Sequence, residues 1–166
     1  MREFDADGLT LAKYQAEIFS ASVIKAPCSS PVFLRRFFSS DFAKKLDHMA
    51  IAFLSLDVDE AFCSLANEFG ESSYGKERYP AEALYWVGYI TRYISYTRCC
   101  SSFFVYKTFP MRLLVDCYPG FHTQSEEWAI DRLLSKVGKT EEHFDPNARL
   151  KEILRRRRGY GDKTKP

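Results

Sequence analysis

Cys99, Cys100, Cys117 and His122 are the side chains whose types could act together, either as ligands for a soft metal or as a thiol nucleophile with its base. Adjacent cysteines chelate a tetrahedral ion poorly, and the usual two-residue spacing is missing, so no metal is expected. Cys117 and His122 lack a recognisable activating pattern, and Cys117 reads as a small buried hydrophobe. His48 and His143 stand in charged, surface-type surroundings, and no histidine follows an arginine at the short spacing used by a common class of helical toxin ribonucleases. Neither a P-loop nor a dinucleotide fingerprint occurs. The Asp and Glu residues stand mainly at helix starts, where capping and the helix dipole account for them. The expectation is therefore a protein that is not an enzyme and needs no cofactor.

A second chemistry is offered by "ILRRRRGYGDKTKP", where Arg155, Arg156, Arg157 and Arg158 could neutralise phosphates or an acidic protein face. From Lys139 onward the sequence holds nine basic residues against five acidic ones, in a chain of net charge +2. A solvated terminus, docking to an acidic partner and DNA binding all fit such a run.

What must position these residues is a chain of 166 residues with 46% hydrophobic and 28% charged side chains, enough to bury one core without disulfide or metal staples. The expected organisation is a core domain over residues 1–138 and a basic extension over 139–166 that is partly helical or flexible. The opening "MREFDADGLT" lacks the apolar run of a secretory signal, and no stretch reaches the roughly 20 residues that cross a bilayer. Five irregularly spaced cysteines fit reduced thiols. A cytoplasmic protein without a membrane partner is expected.

Apolar spacing is helical in nearly every segment, and strand-like alternation is scarce, which predicts an all-α, compact bundle of about six to eight short helices. The spacing predicts a first helix from Thr10 to about Lys25, stopped by Pro27. Ser30 is read as the N-cap of a second, with Pro31 at its first position. A short helix over "DFAKKLDHM" follows, while "AIAFLSL" is open between helix and buried strand. Asp57 and Glu60 start a helix that Gly70 ends, and the linker "GESSYGKERY" reads as exposed. "SSFFVYKTFP" and "PMRLLVDCYPG" read as two short helices bounded by Pro110, Pro119 and Gly120. Thr123 and Glu126 read as the capping box of a last core helix that Gly138 ends.

The centre of the sequence, "EALYWVGYITRYISYT", is apolar all round when wound as a helix. Tyr85, Trp86, Tyr89, Tyr93 and Tyr96 share one sector about 100° wide, and Ala83, Leu84, Val87, Ile90, Thr91 and Ile94 lie opposite. Gly88 and Ser95 are small enough for a neighbouring backbone to approach. Arg92 calls for an acid such as Asp57, Asp59 or Asp116, since a guanidinium among rings cannot lose its proton. Burial of all five rings is one reading; exposure of one edge of the tyrosine stripe as a docking surface is the other.

The same segment carries a resemblance. Tyr85, Trp86, Gly88, Tyr89, Ile90, Arg92 and Tyr93 match a Tyr-Trp-x-Gly-Tyr-Ile-x-Arg-Tyr motif. With "SSPVFLRRFFSSDFAKKLD", "SLDVDEAF", "YGKERY" and "YPGFHTQSEEWAIDRLL" it resembles, over roughly residues 16–136, a family of small bacterial proteins that look like antitoxin or accessory members of toxin–antitoxin loci. The family's genes sit beside small proteins resembling ADP-ribosyltransferase toxins, and the resemblance implies a cognate toxin as partner. No catalytic residues carry over. The Cys pair and extra Phe of "TRCCSSFFVYKTFP" and the basic extension depart from the pattern.

Two functions follow as expectations: an antitoxin-like protein acting by protein–protein occlusion, or a DNA-binding, regulatory protein using its basic tail. Occlusion needs rigid aromatic and arginine anchors, for which Tyr85, Tyr89, Arg92, Tyr93, Arg35 and Arg36 are the candidates. A second copy of the chain is a further candidate partner.

Overall fold

The structure, a computed structural model, describes residues 1–48, 56–145 and 153–154. Eight α-helices follow one another among these: α1 Ala6–Lys25, α2 Ser30–Ser39, α3 Asp41–His48, α4 Val58–Phe69, α5 Ala81–Thr97, α6 Ser102–Thr108, α7 Met111–Phe121 and α8 Glu126–Lys136. A short 3-10 helix, Glu141–Phe144, comes after them. The fold is all-α, with no strand among the described residues. None of the described helices is long and apolar enough to cross a membrane. Of the ambiguous stretch at 50–56, residues 50–55 lie outside the described residues, as does the arginine run at 155–158; Leu56 is in neither a helix nor a strand.

Local chemistry sets the helix ends, and several differ from expectation. α1 starts at Ala6, not Thr10, because the Asp5 carboxylate accepts the Gly8 amide at 2.9 Å. Ser29 stands at the N-cap position of α2 without a side-chain cap bond; Ser30 instead accepts the Tyr79 amide at 3.0 Å, tying the long linker to the start of this helix. α8 is capped by Ser125 and not by Thr123, which frees Glu126 for another task. Pro119 lies inside α7, which runs on to Phe121. Asp57 and Gly70 bound α4 as expected, Asp57 accepting the Asp59 amide at 2.9 Å and Gly70 adopting φ 72°.

α5 is the central helix, and its most extensive contact is with α1. Their backbones meet at Gly88, where a methyl group would lie 2.8 Å from both Ala16 Cα and the Gln15 carbonyl oxygen. Away from this seam, Phe19 of α1 meets Phe37 and Phe38 of α2 edge to face, at ring separations of 4.8 and 5.5 Å. Burying each of these phenylalanines stabilises the fold by about 1.5–3 kcal/mol.

In the middle of this apolar mass sits Arg92, 1% exposed. Its Nη1 donates to Asp47 Oδ1 of α3 at 2.6 Å, and its Nε and Nη2 donate to Gln15 Oε1 of α1 at 3.0 and 2.7 Å. The Gln15 amide is anchored in turn, donating to the Gly88 carbonyl at 2.9 Å and to Thr91 Oγ1 at 3.0 Å. The amide and hydroxyl of Ser102, at the start of α6, donate to the Asp47 carboxylate. Asp47 is therefore the counter-ion, in place of the expected Asp57, Asp59 or Asp116. Those three are engaged on other elements: Asp57 caps α4, Asp59 pairs with Lys25 at 2.5 Å and Asp116 pairs with Arg112 at 3.0 Å.

Arg98, at the end of α5, bridges Glu127 of α8 at 2.6 Å and Glu141 at 2.7 Å. Phe144 is buried against Phe104 and Phe109. The packed body thus continues past Gly138 as far as the 3-10 helix.

Two substitutions test this core. Removing one member of a buried ion pair leaves a desolvated charge, so Asp47→Ala is expected to lose about 3–5 kcal/mol in urea unfolding, and Asp47→Leu combined with Arg92→Met less than the two single changes together. Gly88→Ala would gain up to about 1 kcal/mol at an open helical site. Here it is expected to cost about 1–3 kcal/mol, because the α1 backbone must move away; an unchanged urea midpoint would show that the two helices do not meet there.

Candidate functional site

Not all of α5 is covered. At its N-terminal half Glu82, Tyr85, Trp86 and Tyr89 recur at helical spacing on one outward side. Tyr118 and His122 from the end of α7, with Glu126 and Ala129 from the start of α8, form the facing wall. Together they enclose an open groove of ≈ 560 Å³, a size suited to a side chain or small ligand. Tyr85 is 39% exposed, and Trp86, Tyr89 and Tyr118 are half-buried.

The rings are held by contacts behind them. Trp86 and Tyr118 meet with centroids 6.2 Å apart, and Tyr118 lies 4.6 Å from the His122 ring. His122 Nδ1 donates to the Tyr118 carbonyl at 2.8 Å, closing the last turn of α7. The Tyr89 hydroxyl donates to Glu126 Oε1 at 3.2 Å, and one turn along, Tyr93 donates to Glu127 Oε1 at 2.9 Å. Tyr96 repeats the arrangement with Asp5 Oδ1 at 2.5 Å. Burial, reinforced by the neighbouring carboxylate, pushes the ionisation of each of these three phenols up to about 12. They remain hydrogen-bond donors.

A second cleft of ≈ 460 Å³ opens beside Asp47 and Arg92 and is bordered by His48, Ser95, Tyr96, Cys99 and Cys100. Its central polar groups are already engaged: Ser95 donates to the Cys100 carbonyl at 2.7 Å, and the Arg92 donors end on Gln15 and Asp47. Burial, with Asp47 nearby, pushes the Cys100 thiol up to about 12, which disfavours the thiolate that nucleophilic or ligand chemistry would need. Burial likewise raises Cys117, while His122 turns to its own helix. Among the described residues no three His, Cys, Asp or Glu side chains converge as metal ligands.

The six residues singled out from the sequence do not form one surface. Tyr85 and Tyr89 line the groove. Tyr93, 9% exposed, and Arg92 belong to the interior, because their polar ends are consumed by Glu127, Asp47 and Gln15. Arg35 is exposed on α2, and Arg36 donates to the Gly70 carbonyl at 2.8 Å beside a separate, smaller cleft. Sequence reasoning missed Tyr118, His122 and Glu126 as groove residues and Gln15 and Asp47 as the partners of Arg92. Gln15 does carry a signal, since it falls midway between Leu11 and Phe19 on a buried stripe. A polar residue at such a position needs a buried partner.

An alkaline titration tests the phenol geometry. Phenolate absorbance is expected to show late-ionising tyrosines, among them Tyr89, Tyr93 and Tyr96, at about 12. The unfolded chain ionises near pH 10, so the stabilisation is complete below that pH and is lost as pH rises from about 10 towards 12. Tyr89→Phe should remove one late phenol, and an unaltered late phase in that variant would contradict the hydrogen bond to Glu126. Compared with protein-family models, with curated proteins and with solved structures, the chain gives no match.

Proposed function

We propose that the protein is antitoxin-like: it binds a cognate bacterial toxin, of the ADP-ribosyltransferase-like kind, and neutralises or assists it by occlusion. The observation that carries this reading is the groove along α5, with exposed and half-buried aromatic rings set on rigid helices. Tyrosine and tryptophan anchors backed by packed neighbours are the usual carriers of protein–protein binding energy, because little side-chain freedom is lost on docking. The motif resemblance supports the same reading, and the fold divides the motif's labour. Gly88 and Arg92 serve the α1–α5 seam, which leaves Tyr85, Trp86 and Tyr89 accessible along the groove.

The test is co-expression with the product of the adjacent gene. That product is expected to arrest growth alone, to be rescued by this protein and to be captured with it. Tyr85→Ala combined with Tyr89→Ala should weaken capture about thirtyfold or more, as loss of about 2 kcal/mol of anchor energy requires, with helical content unchanged. Deleting Arg155 to Arg158 should leave rescue intact. A neighbour that is harmless by itself, or that fails to bind, ends the antitoxin reading; rescue that depends on the arginines and not on the tyrosines moves the function to the basic tail.

A further inference from the structure

Three tyrosines of α5 repeat one device, a phenol donating to a carboxylate brought by another segment: Tyr96 to Asp5, Tyr93 to Glu127 and Tyr89 to Glu126. At two of the three the chain adds its own arginine. The Arg2 guanidinium lies 3.8 Å above the Tyr96 ring and 3.7 Å from Asp5, and Arg98 meets Glu127 at 2.6 Å. At the third, in the groove, the same phenol–carboxylate pair has no Lys or Arg partner among the described residues.

We propose that the third cation comes from outside: the groove receives an arginine side chain of a protein partner, seated between the Trp86, Tyr85 and Tyr118 rings and the carboxylates of Glu126 and Glu82. Charge complementarity supports this occupant. Among the described residues the groove is lined by two carboxylates and by no lysine or arginine, and aromatic faces attract a guanidinium that the acids then neutralise. Glu126 is already oriented, since its Oε1 accepts the Tyr89 hydroxyl and its other oxygen remains for an incoming donor. A guanidinium suits this site better than an ammonium because it stacks flat on rings while donating in its own plane. The groove volume of ≈ 560 Å³ accommodates the side chain with part of its backbone. This deepens the partner-binding reading of the same groove and rests on it only for the source of the arginine.

The test uses the full chain with Trp128→Phe, which leaves Trp86 as the sole indole of the two in the sequence, and follows its fluorescence. The probes are a capped glycine peptide with one central arginine, the same peptide with citrulline, and methylguanidinium. Saturable binding of the arginine peptide is expected, with about tenfold weaker binding of the citrulline peptide and of methylguanidinium, and an about tenfold loss for the arginine peptide on Glu126→Gln. Should Trp128→Phe disturb the fold, the Trp86 indole N–H resonance of the unsubstituted chain reports the same titrations. Equal binding of the arginine and citrulline peptides, or indifference to Glu126→Gln, overturns the proposal. Methylguanidinium binding as tightly as the peptide overturns it too, in favour of a small-cation pocket. Failure of toxin rescue with arginine binding intact withdraws the antitoxin reading alone, whereas toxin capture that survives Glu126→Gln, with no arginine binding, withdraws only this assignment.

Discussion

A guanidinium that cannot lose its proton lies at the centre of this molecule, and much of the packing is arranged to make that tolerable. Burial works against the Arg92 charge and Asp47 works for it. The groups that satisfy it come from separate helices: Gln15 from α1, Asp47 from α3 and, through Asp47, Ser102 from α6. Buried networks of this kind carry a large penalty when partly satisfied, and here no buried side-chain nitrogen or oxygen among the described residues lacks a partner. The α1–α5 seam and the α3–α6 layer are thereby held in one alignment. The close approach at Gly88 belongs to the same arrangement, since the carbonyl of that glycine accepts from the glutamine that holds the arginine.

With α5 held in that way, its two halves have different roles. Towards the C-terminal end, Tyr93 and Tyr96 are closed off by the chain's own Glu127, Arg98, Asp5 and Arg2. Towards the N-terminal end, Tyr85, Trp86 and Tyr89 keep an accessible edge because α7 and α8 stand apart there. One helix thus supplies both a buried core face and an accessible aromatic edge without a change in residue type. Among the described residues, what distinguishes the ends is whether neighbouring segments bring a cation.

The amphipathic and all-apolar periodicities made the helices legible, including the central place of α5, since a stripe of phenylalanines or leucines has only one way to be buried. The caps were less so. Serines and threonines cluster before α2 and α8, and tertiary partners decide among them: Ser30 was drawn away by Tyr79, and Glu126 by Tyr89. The need of Arg92 for a buried acid was readable from its surroundings, but the choice of Asp47 was not, because a charged partner is fixed by where α3 packs, against α2, α4 and α6, and not by spacing along the chain. The groove was half legible for a similar reason. Tyr85 and Tyr89 were on the stripe, whereas Tyr118, His122 and Glu126 reach it only through the turn between α7 and α8.

The contact of Arg2 with Tyr96 bears on how the molecule is handled. The amide of Arg2 also donates to the Thr97 carbonyl at 2.7 Å, so the first residues form a clasp across the end of α5. A protease nick before Asp5 would remove that clasp and uncover the Tyr96 ring and its partner Asp5. Material altered in this way would lose both the guanidinium over the Tyr96 ring and the tie to the Thr97 carbonyl, so its unfolding would report a looser end of α5.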